Sequence, residues 1–207
     1  MVYEARTGKL YGLNASGWAP TALTADYLLA KGIKQMPQRG IHSVTVPGAV
    51  EGWDQLLKRF GTRRLADLLA PAIAYAEQGF PVGEVVDAYW RDSEAVLKED
   101  AATAKTYLPG GHAPAAGDVF RNTDLAWTYR QIAANGRDAF YAGEVAKKIL
   151  ATFTLHVLSR DANAPRHQSK GAASVEGFIL LDRRGVKFDR GRRRRRLRGN
   201  EAADGAW

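Results

Sequence analysis

Four histidines, at positions 42, 112, 156 and 167, are the residues of this 207-residue chain best suited to ligate a metal ion. None of them has the close pairwise spacing that a zinc site draws on, so no metal site is expected and no cofactor is assigned. Cysteine is absent, which removes disulfides, thiol nucleophiles and Cys-ligated metals and fits any compartment. Gly110-Gly111 could let the backbone approach a ligand closely, although a plain turn is the simpler reading of that pair. Trp53 and Phe60 are read as core anchors rather than substrate contacts. The remaining chemistry is cationic. Arg192–Arg196 is an unbroken run of arginines, and such a run can bind nucleic acid through phosphate charge, non-specifically and with salt-dependent affinity. No aromatic residue interleaves with it, so base stacking is not part of that mode, and nucleic acid is the least favoured partner. No catalytic or substrate-binding residue is assigned by these patterns.

The charge that makes the chain basic is concentrated at one end. The formal net charge is +8, of which Ala151–Trp207 carries +7 and the first 150 residues +1. Hydrophobic content of 45% and charged content of 25% are ordinary for a soluble globular chain. No apolar run approaches the roughly 20 residues that span a bilayer, so no membrane span is expected. The start, Met-Val-Tyr-Glu-Ala-Arg, lacks a basic stretch followed by an apolar one, so no signal peptide is read there.

The elements that must position any site follow from the apolar pattern. Val2–Ala5 and Lys9–Leu13 are short β-prone runs around Arg6-Thr7-Gly8 and predict a hairpin. Thr24 is placed to cap a short helix that stops at Gly32. His42–Val46 alternates like a strand that ends at Pro47-Gly48. From Ala49 the period changes: Val50, Trp53, Leu56, Leu57 and Phe60 form one helical face, and Gly61 sits where a left-handed C-terminal residue belongs. Leu65–Leu69 starts another helix, which Pro71 should break or restart; Ala72–Gln78 follows, closed by Gly79. Val85–Leu97 predicts a longer helix with Val86, Tyr89, Trp90, Val96 and Leu97 facing the core. Leu108–Gly117 is a loop. Asn122 or Thr123 caps a helix over Leu125–Ala134, and Ala139–Leu150 forms the last one.

The order and spacing of several stretches resemble the large-subunit segment of the gamma-glutamyltransferases. Ser43–Trp53 is close to that family's V-T-V-P-G-A-V-D-G-W. Phe60-Gly61, Leu65–Ala76 and Glu77–Val82 follow, similar to its L-L-A-P-A-I…A-E-x-G-F-P-V. Leu108–Gly111, Pro114, Gly117–Phe120, Leu125-Ala126, Gly136, Asp138–Tyr141 and Gly143–Ala146 then recur in the family's order. The colinear series covers about residues 1–150. The fold that this resemblance implies is α+β: part of an N-terminal-nucleophile hydrolase large subunit from an αββα sandwich, mostly helical in this segment, with an irregular basic tail.

The resemblance also implies a chemistry. In the family one precursor cleaves itself, and the new N-terminal threonine of the small subunit attacks the gamma-glutamyl bond of glutathione or a related compound. Its own α-amino group acts as base. That threonine lies in a Thr-Thr-His motif beyond the matched region. Thr154-Leu155-His156 is the nearest approach here, and it lacks both the adjacent threonine and the expected position. The implied partners are therefore the small-subunit portion carrying the nucleophile and, in an intact enzyme, a glutathione-like gamma-glutamyl substrate. The chain alone is expected to be inactive.

Two departures qualify this. The family's Arg-Glu-Thr-Ala-Pro stretch holds the glutamyl α-carboxylate with its arginine, whose fork suits a carboxylate. The corresponding stretch here is Ser16-Gly17-Trp18-Ala19-Pro20, with Ser16 at the arginine position and Arg39 nearby as an unsupported substitute. A related amide or cephalosporin-type acylase is thus the alternative. The family also carries helical and strand segments before the first hairpin, so Met1 resembles an internal methionine, and residues 1–150 are expected to be marginally stable or to aggregate. The resemblance stops near Leu150. Residues 151–207 are read as a basic tail, disordered or translated out of frame.

Overall fold

The computed structural model describes residues 1–20, 23–160, 178–182 and 185–188, with side chains as far as Thr152. The chain divides into two compact units, Met1–Ala15 with Ser174–Trp207, and Ser16–Ala173.

In the first unit, β1 (Val2–Glu4) and β2 (Lys9–Leu13) form the predicted antiparallel hairpin, with Tyr3 opposite Leu10. The turn is closed by Thr7 and Gly8 amides donating to the Glu4 carbonyl at 3.1 and 2.9 Å. Gly8 supplies the positive φ of 65° that the turn needs. The Glu4 carboxylate accepts from the Thr7 hydroxyl at 2.6 Å and from Arg6 at 3.1 Å.

The second unit begins with α1 (Ala25–Ala30), whose Tyr27 amide donates to the Thr24 hydroxyl, the predicted cap. The strand expected over His42–Val46 does not form. Ile41–Ser43 is a 3-10 turn in which the Ser43 amide and hydroxyl both donate to the Gly40 carbonyl, at 3.1 and 2.8 Å. Val46 then makes one lone backbone bond instead of a ladder. α2 (Ala49–Phe60) buries Val50 and ends at Gly61. Gly61 is not left-handed, as expected, but extended (φ −72°, ψ 143°). Space restricts it instead, because a Cβ there would lie 2.5 Å from the Leu57 carbonyl oxygen.

α3 (Leu65–Gln78) runs unbroken through Pro71 and stops at Gly79. β3 (Phe80–Pro81) follows, then α4 (Glu84–Leu97) and α5 (Ala101–Tyr107), the latter capped by the Asp100 carboxylate at 2.8 Å from the Thr103 amide. Val86 and Tyr89, expected in the core, are exposed. The inner face of α4 is rotated to Asp87, Trp90, Glu94 and Leu97, at i, i+3, i+7 and i+10. The buried Asp87 is tolerated there because Arg91 lies 2.9 Å from its carboxylate. β4 (Val119–Phe120) pairs antiparallel with β3. Trp90 and Phe120 rings meet edge to face at 4.7 Å, and Tyr107 stacks on Phe120 at 6.4 Å.

α6 (Thr123–Asn135) is capped by the Asn122 side chain, 2.9 Å from the Leu125 amide, and stops at Gly136. It packs along α3, which explains the survival of that helix through Pro71. Leu69 and Ile132 are buried in one cluster with Val50, and this packing outweighs the donor that proline lacks. Trp53 and Tyr129 close the cluster with ring centroids 6.5 Å apart, so Trp53 is a core anchor. Phe60 is half-buried, with the Arg59 guanidinium 5.4 Å from its ring.

The helix expected over Ala139–Leu150 is two helices, α7 (Arg137–Tyr141) and α8 (Glu144–Arg160). Ala142 leaves helical geometry (φ −134°, ψ −9°), and the following Gly143 sits where a Cβ would lie 2.7 Å from the Ala139 carbonyl oxygen.

Two strands come from the tail. β5 (Phe178–Asp182) and β6 (Gly185–Phe188) extend the hairpin to a four-stranded antiparallel sheet in the order β1-β2-β5-β6, with Tyr11 opposite Leu180. At these residues the tail is regular rather than irregular. His167 and Arg192–Arg196 lie outside the described residues. The described fold is mostly helical with two small sheets. Among the described residues no helix is long and apolar enough to cross a membrane.

Candidate functional site

The stretch that resembles the carboxylate-binding loop, Ser16–Pro20, is held against the segment preceding α2. The Val46 amide donates to the Trp18 carbonyl at 2.8 Å, and the Thr45 hydroxyl donates to the Ser16 carbonyl at 3.3 Å. Gly17 lies between these two bonds with φ 85°, and a Cβ on it would overlap the Val46 carbonyl oxygen. Only glycine can pass there. Ser16 and Arg39 are both exposed, and no ion pair or hydrogen bond brings Arg39 to Ser16 among the described residues.

Behind this segment sits a polar network that the motifs alone did not reveal. Gly48 opens α2 without a side chain to cap it, which leaves first-turn amides without intrahelical partners. Tyr141, from α7, supplies the acceptor: its hydroxyl oxygen accepts from the Glu51 amide at 3.1 Å and its proton goes to the Pro47 carbonyl at 2.7 Å. The Glu51 carboxylate is buried and paired with the Arg137 guanidinium, and it also accepts from Gln55 at 2.9 Å. Arg137 further donates to Asp138 at 2.9 Å and lies 5.1 Å from the centre of the Tyr141 ring. Hydrogen bonding to Glu51 raises the Arg137 pKa above the ordinary arginine value. Burial raises that of Tyr141 above 10.0, so its hydroxyl stays protonated and able to donate at neutral pH. No local pattern in the sequence signals this network: an acid in the first turn of a helix is ordinary, and the cation that a buried carboxylate requires comes from Arg137, 86 positions away.

The Gly110-Gly111 pair forms a turn, with the Gly111 amide donating to the Leu108 carbonyl at 2.8 Å. The loop is anchored by Glu94, which accepts from the Ala113 amide at 2.9 Å and from Lys98 at 2.6 Å. Lys98, and then the Ala113 amide, lower the Glu94 pKa below 4.5. His112 contacts the Ala113 carbonyl at 3.0 Å, and His42 meets the Tyr27 ring edge-on at 5.9 Å. The two histidines are engaged separately, and no group of three His, Cys, Asp or Glu among the described residues could hold a metal. Thr154 and His156 lie on α8, beyond the described side chains. An open depression of about 350 Å³, lined by Gln131, Asn135, Asp138 and Glu144, lies on the α6–α8 side. Its two acids already partner Arg137 and Lys147.

What this arrangement can do by itself is hold a loop in place; among the described residues it places no nucleophile beside a base. The family model described as gamma-glutamyltranspeptidase matches residues 1–156. The glutathione hydrolase-like YwrD proenzyme of Bacillus subtilis (strain 168) is 38% identical over 149 residues, which cover 72% of this chain and 28% of that protein. Cephalosporin acylase from Bacillus halodurans superposes with a TM-score of 0.68 at 42% identity, over 72% of this chain and 29% of its own. The gamma-glutamyltranspeptidase of Helicobacter pylori superposes with a TM-score of 0.68 at 28% identity, over 73% of this chain and 44% of its own. The chain thus spans between 28% and 44% of the length of these proteins.

Proposed function

Because the chain belongs to the gamma-glutamyltranspeptidase family, we propose that residues 1–150 are the large-subunit side of an amide hydrolase or acyltransferase that acts on gamma-glutamyl compounds. The reaction needs a second portion. In it an N-terminal threonine hydroxyl attacks the amide carbonyl, the amine leaves, and water or an acceptor amine then takes the acyl group. The partner of this chain is that nucleophile-bearing portion, and the substrate is a glutathione-like gamma-glutamyl amide. The observation that carries the reading is the family match over residues 1–156, in a chain that spans 28% of a glutathione hydrolase-like relative.

The test is hydrolysis of a chromogenic gamma-glutamyl anilide by the purified chain, beside an intact family enzyme. No turnover is expected from this chain alone. Turnover that survives repurification would overturn the missing-nucleophile reading, and Thr154→Ala would be the first variant made.

A second reading has its own support. Ser16 stands where an arginine would hold the glutamyl α-carboxylate, and the cephalosporin acylase is 42% identical over the shared region. On this reading the same scaffold serves an acyl group without that carboxylate. An intact relative with serine at this position, assayed against paired amides with and without the α-carboxylate, separates the two. Equal or better turnover of the amide lacking it favours the acylase.

A further inference from the structure

We infer that Tyr141 is a positioning residue for Ser16–Trp18, acting through the corner Val46-Pro47-Gly48. The inference rests on the proposed function only in naming Ser16–Trp18 as the stretch that meets the acyl group; the mechanical link stands on geometry.

The link has three parts. First, a single hydroxyl holds the corner from both sides. Tyr141 donates to the Pro47 carbonyl at 2.7 Å and accepts from the Glu51 amide at 3.1 Å. The first of these bonds fixes Pro47, the residue before the Gly48 that opens α2, and the second fixes the first turn of the helix. Gly48 has no side chain to do this work locally, so the start of α2 is capped from 90 positions away in the chain. Second, the Tyr141 ring is itself held. The Arg137 guanidinium lies 5.1 Å from the ring centroid while it pairs with the buried Glu51 carboxylate. The hydroxyl therefore points at the corner with little freedom. Third, the residues immediately before the corner carry Ser16–Trp18. Val46 and Thr45 supply the two bonds to Trp18 and Ser16, and Gly17 is packed so tightly on the Val46 carbonyl that no side chain fits between them. A shift of Pro47 is passed on to Val46, and from Val46 to Trp18, because contacts this close leave no slack. The residue that sets where Ser16 sits is thus on α7, far from it in sequence.

The test is amide hydrogen exchange on the full 207-residue chain, comparing Tyr141→Phe with the parent. The Val46 amide reports the link. The Val82 amide, bonded to the Asp118 carbonyl at 2.9 Å, reports general loosening elsewhere. Tyr141→Phe keeps the ring and removes the hydroxyl, so Val46 exchange is expected to rise at least about tenfold while Val82 changes less than about twofold. Equal acceleration at both amides, or none at Val46, overturns the inference. Should Tyr141→Phe not fold, Arg137→Lys keeps the charge on Glu51 and loosens the ring. A few-fold rise confined to Val46 then supports the link, and no difference between the amides overturns it. The readout needs no turnover, so its failure is distinguishable from a failure of the proposed activity.

Discussion

The second unit holds its two halves together by different means. Around α2, α3, α6 and α7, an aliphatic cluster of Val50, Leu69 and Ile132 is tied down by an ion pair on a buried carboxylate and by a half-buried tyrosine hydroxyl. Around α4, α5, β3 and β4, the organising contacts are rings: Trp90, Tyr107, Phe80 and Phe120. Ring pairs can settle into either stacked or edge-to-face geometry, and those here span interplanar angles from 13° to 74°. A carboxylate in a buried site tolerates only a geometry that keeps its cation and donors in place. The first half is therefore the one suited to fix a loop to a small fraction of its length, and it is the half against which Ser16–Trp18 is held. The second half also leaves apolar side chains outward, with Val85, Val86, Tyr89 and Val119 all exposed.

The strongest way to break this contrast is to strand the buried acid. Arg137→Ala leaves Glu51 without its cation; removing one member of a fully buried pair costs about 3–5 kcal/mol, and because the Arg137 side chain keeps 27% of its exposure, about 2–3 kcal/mol is expected. Thermal unfolding followed by circular dichroism should show a loss in that range. A loss below about 1 kcal/mol would mean that water reaches Glu51 and that the pair is a surface contact. Trp90→Ala is the matching change in the ring-built half. Complete burial would make the loss about 3–5 kcal/mol; because Trp90 is only half-buried, about 2 kcal/mol is expected. Near-ultraviolet circular dichroism should lose the signal of the ring cluster. If Trp90→Ala costs more than Arg137→Ala, the ranking of the two halves is reversed.

The same contrast separates what the sequence made legible from what it did not. Features decided within a few residues could be read: the β1–β2 hairpin around Gly8, the Thr24 and Asn122 caps, and the stop at Gly79. The family was legible too, because the order of many short motifs carries more information than any one of them, and the match over residues 1–156 agrees with it. Features decided by distant partners were not. Pro71 passes through α3 because α6 packs on it. His42–Val46 has strand composition, but among the described residues no strand pairs with it. The face of α4 turned by about one residue, since the pattern of apolar residues does not reveal that a paired Asp87 is buried. The Glu51–Arg137–Tyr141 network spans 86 to 94 positions, which no local period can register. Ser16 was singled out by resemblance alone, since a serine in a Gly- and Pro-flanked stretch carries no local pattern of its own.

The smallest effect on stability, and the sharpest on behaviour in solution, belongs to the outward face of the ring-built half. Tyr89 and Val85 are 72% and 69% exposed, so replacing them removes little buried area, and surface changes of this kind fall within about 0.5 kcal/mol. Val85→Lys with Tyr89→Lys should leave the melting temperature nearly unchanged. The two charges do, however, interrupt the apolar side chains that α4 turns outward at i and i+4, and apolar surfaces drive association when they are contiguous. Light scattering at rising protein concentration should therefore fall in the double variant while the unfolding curve stays put. Equal scattering in both proteins would place the adhesive surface elsewhere, and the exposed Leu68 and Tyr75 of α3 would be the next face to charge. A large drop in melting temperature would carry the opposite message: that Val85 and Tyr89 contribute to the ring cluster from outside, and that the two halves differ less than their contacts suggest.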